Sequence, residues 1–191
     1  MTESYLSDRF AQHLRKVLEG PGRARAVLRR SLTLPPGESM AAIPYVEPFV
    51  ATAGKWTRKC AYLVAGVSAA SGVDVGSGSL GAAAARLRLR TDSKSVETRF
   101  LALLDADEEQ LPYRLRQMIV LMAGNEIAPD WAGLFRDLRR WQAPGRPAQI
   151  MWARDYYTVV GSAGVEDVEG DEGPDDELSE TRFNPDEVQE D

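Results

Sequence analysis

Apolar side chains recur at three- and four-residue intervals along most of this chain, the spacing that lines one face of an α-helix. Leu6, Phe10, Leu14, Val17 and Leu18 predict a helix over 5–19, which Gly20-Pro21-Gly22 stops. A short helix over 23–31 follows, and Pro35-Pro36-Gly37 makes 32–39 a loop. Pro44 and Pro48 limit 40–53 to one or two short helical turns. Trp56, Cys60, Leu63, Val64 and Val67 form one stripe of a helix over 55–70. The glycine- and serine-rich stretch 71–79 reads as a flexible connection, and the alanine-rich stretch 80–90 as a helix. Ser93 or Ser95 is placed to cap a helix over 96–106, with Phe100, Leu101, Leu103 and Leu104 as its core residues. Pro112 suits the first turn of a helix that runs to Ala123 and ends at Gly124-Asn125. Pro129-Asp130 opens another, with Trp131, Leu134, Phe135, Leu138 and Trp141 at helical spacing. Pro144-Gly145-Arg146-Pro147 separates it from a last helix over 148–160, closed by Gly161.

No stretch alternates apolar and polar residues long enough to pair as strands. Tyr157 to Val160 is the one β-leaning patch, too short for a sheet. The expected fold is therefore all-α, a compact helical bundle or two small sub-bundles sharing an interface, over residues 1–162. Past Ala163 acidic and turn-forming residues take over with little to bury, so 163–191 is expected to be a disordered acidic tail.

Charge changes the picture once it is divided. The whole chain is −6, but thirteen of its 29 acidic residues and only one of its 23 basic ones lie between Gly164 and Asp191. That leaves 16 acidic and 22 basic residues before it, a net +6. Nineteen of the cations are arginine, whose planar fork suits bidentate phosphate contacts, although a GC-rich genome also raises arginine content. The single cysteine, Cys60, rules out an intramolecular disulfide and fits a reducing, cytoplasmic location. A charged N-terminus without an apolar run argues against a signal peptide. The longest apolar stretch, from about Cys60 to Ala70, has roughly half the ~20 residues a membrane span needs.

Catalytic chemistry finds no footing. His13, the only histidine, lies beside Phe10 and Leu14, and Cys60 sits inside an amphipathic helix with no histidine partner. Counting excludes a Cys/His zinc site, and no phosphate-binding loop, dinucleotide fingerprint or nucleophile elbow is present. Gly76-Ser77-Gly78-Ser79-Leu80-Gly81 is rich in glycine but follows no strand, and reads as a linker. Asp105, Asp107, Glu108 and Glu109 cluster before Pro112, where a helix N-terminus favours negative charge; as a magnesium site they are a weak candidate. No cofactor and no metal is expected, and no enzyme activity.

The cations, in contrast, fall at helical face spacing. Lys55, Arg58 and Lys59 are at i, i+3, i+4, and Arg136, Arg139 and Arg140 repeat the set. Arg86 and Arg90 are one turn apart, Arg29 and Arg30 end the second helix, and Arg99, Arg114, Arg116 and Arg146 lie near helix ends or loops. Any one such residue can be an ordinary solvated face. Together, on a body of net +6, they favour a polyanion partner held through its backbone and shape, with little base reading. The acidic tail fits either an electrostatic screen against weak polyanion contacts or a solubility tail.

Short pieces in a fixed order carry a resemblance. They are Ala26-Val27-Leu28-Arg29-Arg30, then Val46-Glu47-Pro48-Phe49, Ser79-Leu80-Gly81, and Glu97-Thr98-Arg99-Phe100 with Leu103-Leu104. Leu115-Arg116, Asp130-Trp131, Asp137-Leu138 with Trp141, and Trp152-Ala153-Arg154 with Tyr156 complete the series. The chain resembles, from about Tyr5 to Tyr157, the CasB family, the small subunit of the type I-E CRISPR surveillance complex Cascade. The acidic tail has no counterpart in that pattern. The resemblance implies an all-helical, non-nuclease subunit present in two copies, touching the large subunit and the backbone subunits that hold guide RNA. It also implies a basic surface that holds target DNA and the displaced strand and so stabilises the R-loop. By motif position Arg30, Arg99 and Arg116 are the nucleic-acid contacts it implies, with Arg58 and Lys59 at a looser match. Lys55, Arg139 and Arg140 join them on charge pattern, and Arg146 lies in a loop of uncertain register. The competing expectations are a helical adaptor whose basic face meets an acidic protein and a helix-turn-helix regulator. The second lacks a short turn leading into a base-reading helix.

Overall fold

The computed structural model describes residues 3–20 and 22–169, and every regular element among them is a helix. In chain order these are α1 (Glu3–Glu19), α2 (Gly22–Ser31), a 3-10 turn (Met40–Ala42), α3 (Ile43–Val50) and α4 (Lys55–Ser71). Then come α5 (Leu80–Thr91), α6 (Lys94–Leu104), α7 (Leu111–Ala123), α8 (Trp131–Arg139) and α9 (Pro147–Glu169).

α4 occupies the middle because its sequence allows nothing else. From Cys60 to Ala69 it has no charged residue, and all ten positions are buried. A helix that is apolar all round must be enclosed; α2, α3, α7 and α8 pack around this one. α5 is rich in alanine and lies close against α9, its most extensive neighbour, while α6 packs on α5 and α1 packs on α8. The α5–α9 approach depends on Gly81: a Cβ there would stand 1.9 Å from the Trp152 carbonyl oxygen. Large rings fill the remaining space, with Phe10 against Phe135, Phe100 stacked on Tyr156, and Trp141 against Trp152. The buried side chains make one continuous core from Phe10 of α1 to Tyr156 of α9.

Three local expectations need correction. The last helix does not close at Gly161 but continues to Glu169. One interior glycine costs only about 1 kcal/mol of helix stability, and no proline follows before Pro174. The remainder of the expected disordered tail lies outside the described residues. The stretch 71–79 is not a free linker: Ser77 N–H donates to the Ala128 carbonyl at 3.2 Å, and Asp130 N–H donates to the Gly78 carbonyl at 2.9 Å. Gly76 is pressed on the same backbone, where a Cβ would meet the Pro129 oxygen at 2.1 Å. Finally, α6 begins two residues early, at Lys94; the Ser93 hydroxyl bonds the Ser95 hydroxyl at 2.9 Å and caps no backbone amide.

Candidate nucleic-acid interface

Turns and caps fix the walls of the candidate surface. After α2 the chain turns sharply, with Thr33 N–H donating to the Arg30 carbonyl, Leu34 N–H to Ser31 and Glu38 N–H to Pro35, each at 3.1 Å. This turn faces α4 and the start of α7 across a cleft of about 670 Å³. Its walls carry Leu34, Trp56, Lys59, Glu108, Tyr113 and Arg116, among others. The 105–110 turn forms one end. There Asp107 Oδ1 accepts from the amides of Glu109 and Gln110 at 3.0 and 2.8 Å, which leaves Glu108 and Glu109 exposed.

The nine cations singled out in the sequence divide into three groups. Arg58, Lys59 and Arg146 are held by carboxylates. Arg58 pairs with Glu47 at 3.6 Å and donates to the Ala51 carbonyl. Lys59 Nζ stands 2.5 Å from Glu108 Oε1, and this hydrogen bond and charge hold the Glu108 carboxyl below its usual range. Arg146, in the left-handed region at φ 52°, donates to the Leu104 carbonyl and pairs with Asp105 at 3.1 Å. Arg139 is half-buried with its guanidinium over the Phe135 ring. Arg30, Lys55, Arg99, Arg116 and Arg140 are exposed and make no ion pair with a described residue.

Position brings several of these together. Arg30 immediately precedes the turn that walls the cleft, and Lys59 and Arg116 line it. Lys55 acts on Glu108 through its charge, and Gln142, beyond α8, donates to the same carboxylate at 2.6 Å. Trp56 of α4 donates to the Leu138 carbonyl at 3.0 Å, tying the end of α8 beside this region. Arg99 stands on α6, away from the cleft walls. The charge pattern missed Tyr113. The residue is 61% exposed and lines the cleft, its hydroxyl accepts from Gln117 Nε2 at 2.8 Å, and the Arg114 guanidinium lies 5.9 Å from its ring centroid. The signal was available: Tyr113 lies off the stripe of Leu111, Leu115, Met118 and Met122 that α7 buries.

The residues weighed for catalysis are occupied structurally. His13 Nε2 is 2.8 Å from the Tyr45 carbonyl, and its ring stacks on Phe49. Cys60 is buried, and desolvation pushes its thiol up to about 12, away from the thiolate form in which a cysteine is reactive. Asp105 and Glu108 face cations and Asp107 caps a turn, and among the described residues no group of three or more His, Cys, Asp or Glu is arranged to hold a metal ion. No helix among the described residues is long and apolar enough to cross a membrane.

Comparison with known proteins gives this architecture a family. The sequence profile of CRISPR-associated protein Cse2 matches residues 24–157. The chain belongs to the Cse2 family. It is 47% identical over 144 residues to the CRISPR-associated protein Cse2 of Thermus thermophilus, covering 73% of this chain and 81% of that one. The crystal structure of CasB from M. ruber superposes with a TM-score of 0.71 at 36% identity, over 84% of this chain and 97% of that one. A chain of a CRISPR RNA-guided surveillance complex shares the fold at a TM-score of 0.78 and 24% identity, over 87% and 99% of the two chains. The Cse2 profile ends within α9, before the acidic C-terminal segment begins.

Proposed function

We propose that this Cse2-family chain is the non-catalytic small subunit of a type I-E CRISPR surveillance complex, where its basic surface holds target and displaced DNA strands and stabilises the R-loop. The carrying observation is the set of exposed cations, Arg30, Arg99 and Arg116 foremost, which no described carboxylate neutralises. The fold shared with a surveillance-complex chain and the family itself support the same reading. Exchange of a DNA duplex for an RNA–DNA heteroduplex is nearly balanced, so a few protein contacts to the backbone are enough to tip it. Its partners are then the large subunit, the backbone subunits that bind guide RNA, a second copy of itself, and the guide RNA and target DNA they enclose. The site of action is the cytoplasm.

Arg58, Lys59 and Arg146 take a lesser part than the sequence expects. Their charges are already shared with Glu47, Glu108 and Asp105, and a phosphate has to compete with those carboxylates. Copurification with tagged forms of the other subunits, with and without guide RNA, tests the reading. Retention of this chain in the guide-loaded complex, and loss of R-loop yield when it is omitted, is the expected result. A complex that forms R-loops equally well without it contradicts the proposal.

A further inference from the structure

We infer that the cleft between the 31–38 turn, α4 and α7 receives an unstacked base of a single-stranded nucleic acid, with Tyr113 as its stacking platform; this rests on the strand-holding function proposed above. Tyr113 is a large aromatic ring left 61% exposed on a helix whose inner face is fully packed. It is not loose. Gln117 donates to its hydroxyl at 2.8 Å, and Arg114 lies beside the ring. Across the cleft the locked turn presents Leu34, itself 48% exposed, so the opening has an apolar surface on both sides. A flat, amphipathic ring system fits between such walls, and stacking tolerates any base because every base has a π-face.

Charge decides which part of the strand enters. Within the cleft, Glu38, Glu108 and Glu109 stand against Lys59 and Arg116, and Lys59 is already bound to Glu108. A run of phosphates, or the acidic C-terminal segment of this chain, meets more like charge than opposite charge there. An uncharged base does not, and its exocyclic amino groups find carboxylate acceptors. The flanking phosphates stay outside, beside the exposed Arg30 at the start of the turn and the exposed Arg116 on the cleft wall. The cations and the carboxylates thus have separate tasks: the former hold the backbone, the latter keep it out of the cleft.

The test uses the full chain and a single-stranded DNA oligonucleotide, with a matched oligonucleotide whose central nucleotides are abasic. Tyr113→Ala should weaken binding of the base-bearing strand about tenfold, within the range that alanine substitution of a stacking residue gives. It should leave the abasic strand's affinity unchanged, and Tyr113→Phe should behave as the parent. A 2-aminopurine in the strand should lose fluorescence on binding the parent and keep it on binding the alanine variant. Equal binding of both strands by parent and Tyr113→Ala overturns the inference while leaving the strand-holding function standing; the cleft then serves a protein segment or a second copy. Failure of the parent to bind either strand overturns both. Because Tyr113 is exposed, an unchanged helical circular dichroism spectrum is expected for each variant.

Discussion

Gly81 shows how one side chain, here a hydrogen atom, sets a distance between helices. A methyl group at that position would lie 1.9 Å from a backbone oxygen of α9, and neither partner is a flexible side-chain tip. Gly81→Ala therefore forces α5 and α9 apart, a loss of about 3 kcal/mol by analogy with other overpacked cores. For a domain of this size that lowers the thermal midpoint by roughly 10 °C, which a melt followed by circular dichroism will read. Asp137 is the opposite case, a polar group enclosed. The residue is 4% exposed, and its carboxylate accepts from Trp152 Nε1 at 2.9 Å and lies 3.8 Å from Arg136. Burial raises its pKa, against the Trp152 hydrogen bond and the charges of Arg136 and Arg140. A carboxyl group that is raised on folding binds more protons in the folded than in the unfolded state between its two pKa values, so stability falls as pH rises through that interval. Asp137→Asn keeps an acceptor for Trp152 and removes the titration. Denaturant unfolding should show the parent gaining on the variant as pH falls from 7 toward 4.

At the scale of elements, most of the helices were legible because their apolar faces repeat without interruption. α4 needed only its uncharged run from Cys60 to Ala69, and Asp130 announced α8 correctly, accepting from the amides of Ala132 and Gly133. What escaped was tertiary. Residues 71–79 look like a linker because glycine and serine do so in general; their backbone is instead bonded to 128–130, which lies some fifty residues further along the chain. The extent of α9 escaped for the converse reason, since Gly161 weakens a helix only locally and nothing after it forces a break. The candidate site followed the same division. Charge spacing located the cations but could not tell which of them face carboxylates, because Lys59 meets Glu108 and Arg146 meets Asp105 only after folding. Tyr113 was overlooked since an exposed aromatic carries no charge signal.

Over the whole molecule, charge is divided by position along the chain: +6 up to Ala163 and strongly negative beyond it. The Cse2 profile ends at residue 157, before this acidic segment begins. As an electrostatic screen that segment would oppose the approach of a polyanion, and such opposition is screened within about 10 Å at 0.1 M salt. Replacing Asp175, Asp176, Glu177 and Glu180 by their amides should tighten binding of single-stranded DNA in low salt and change little in high salt, as a filter-binding titration will show. The measurement that bears most directly on the strand-holding claim is the salt dependence of single-stranded DNA affinity. It compares the parent chain with Arg30→Glu/Arg99→Glu/Arg116→Glu. About three phosphate contacts predict a slope near −2 in log affinity against log salt for the parent, and a weaker, flatter line for the reversed variant with its helical spectrum intact. Coincident lines for two folded proteins would contradict the account.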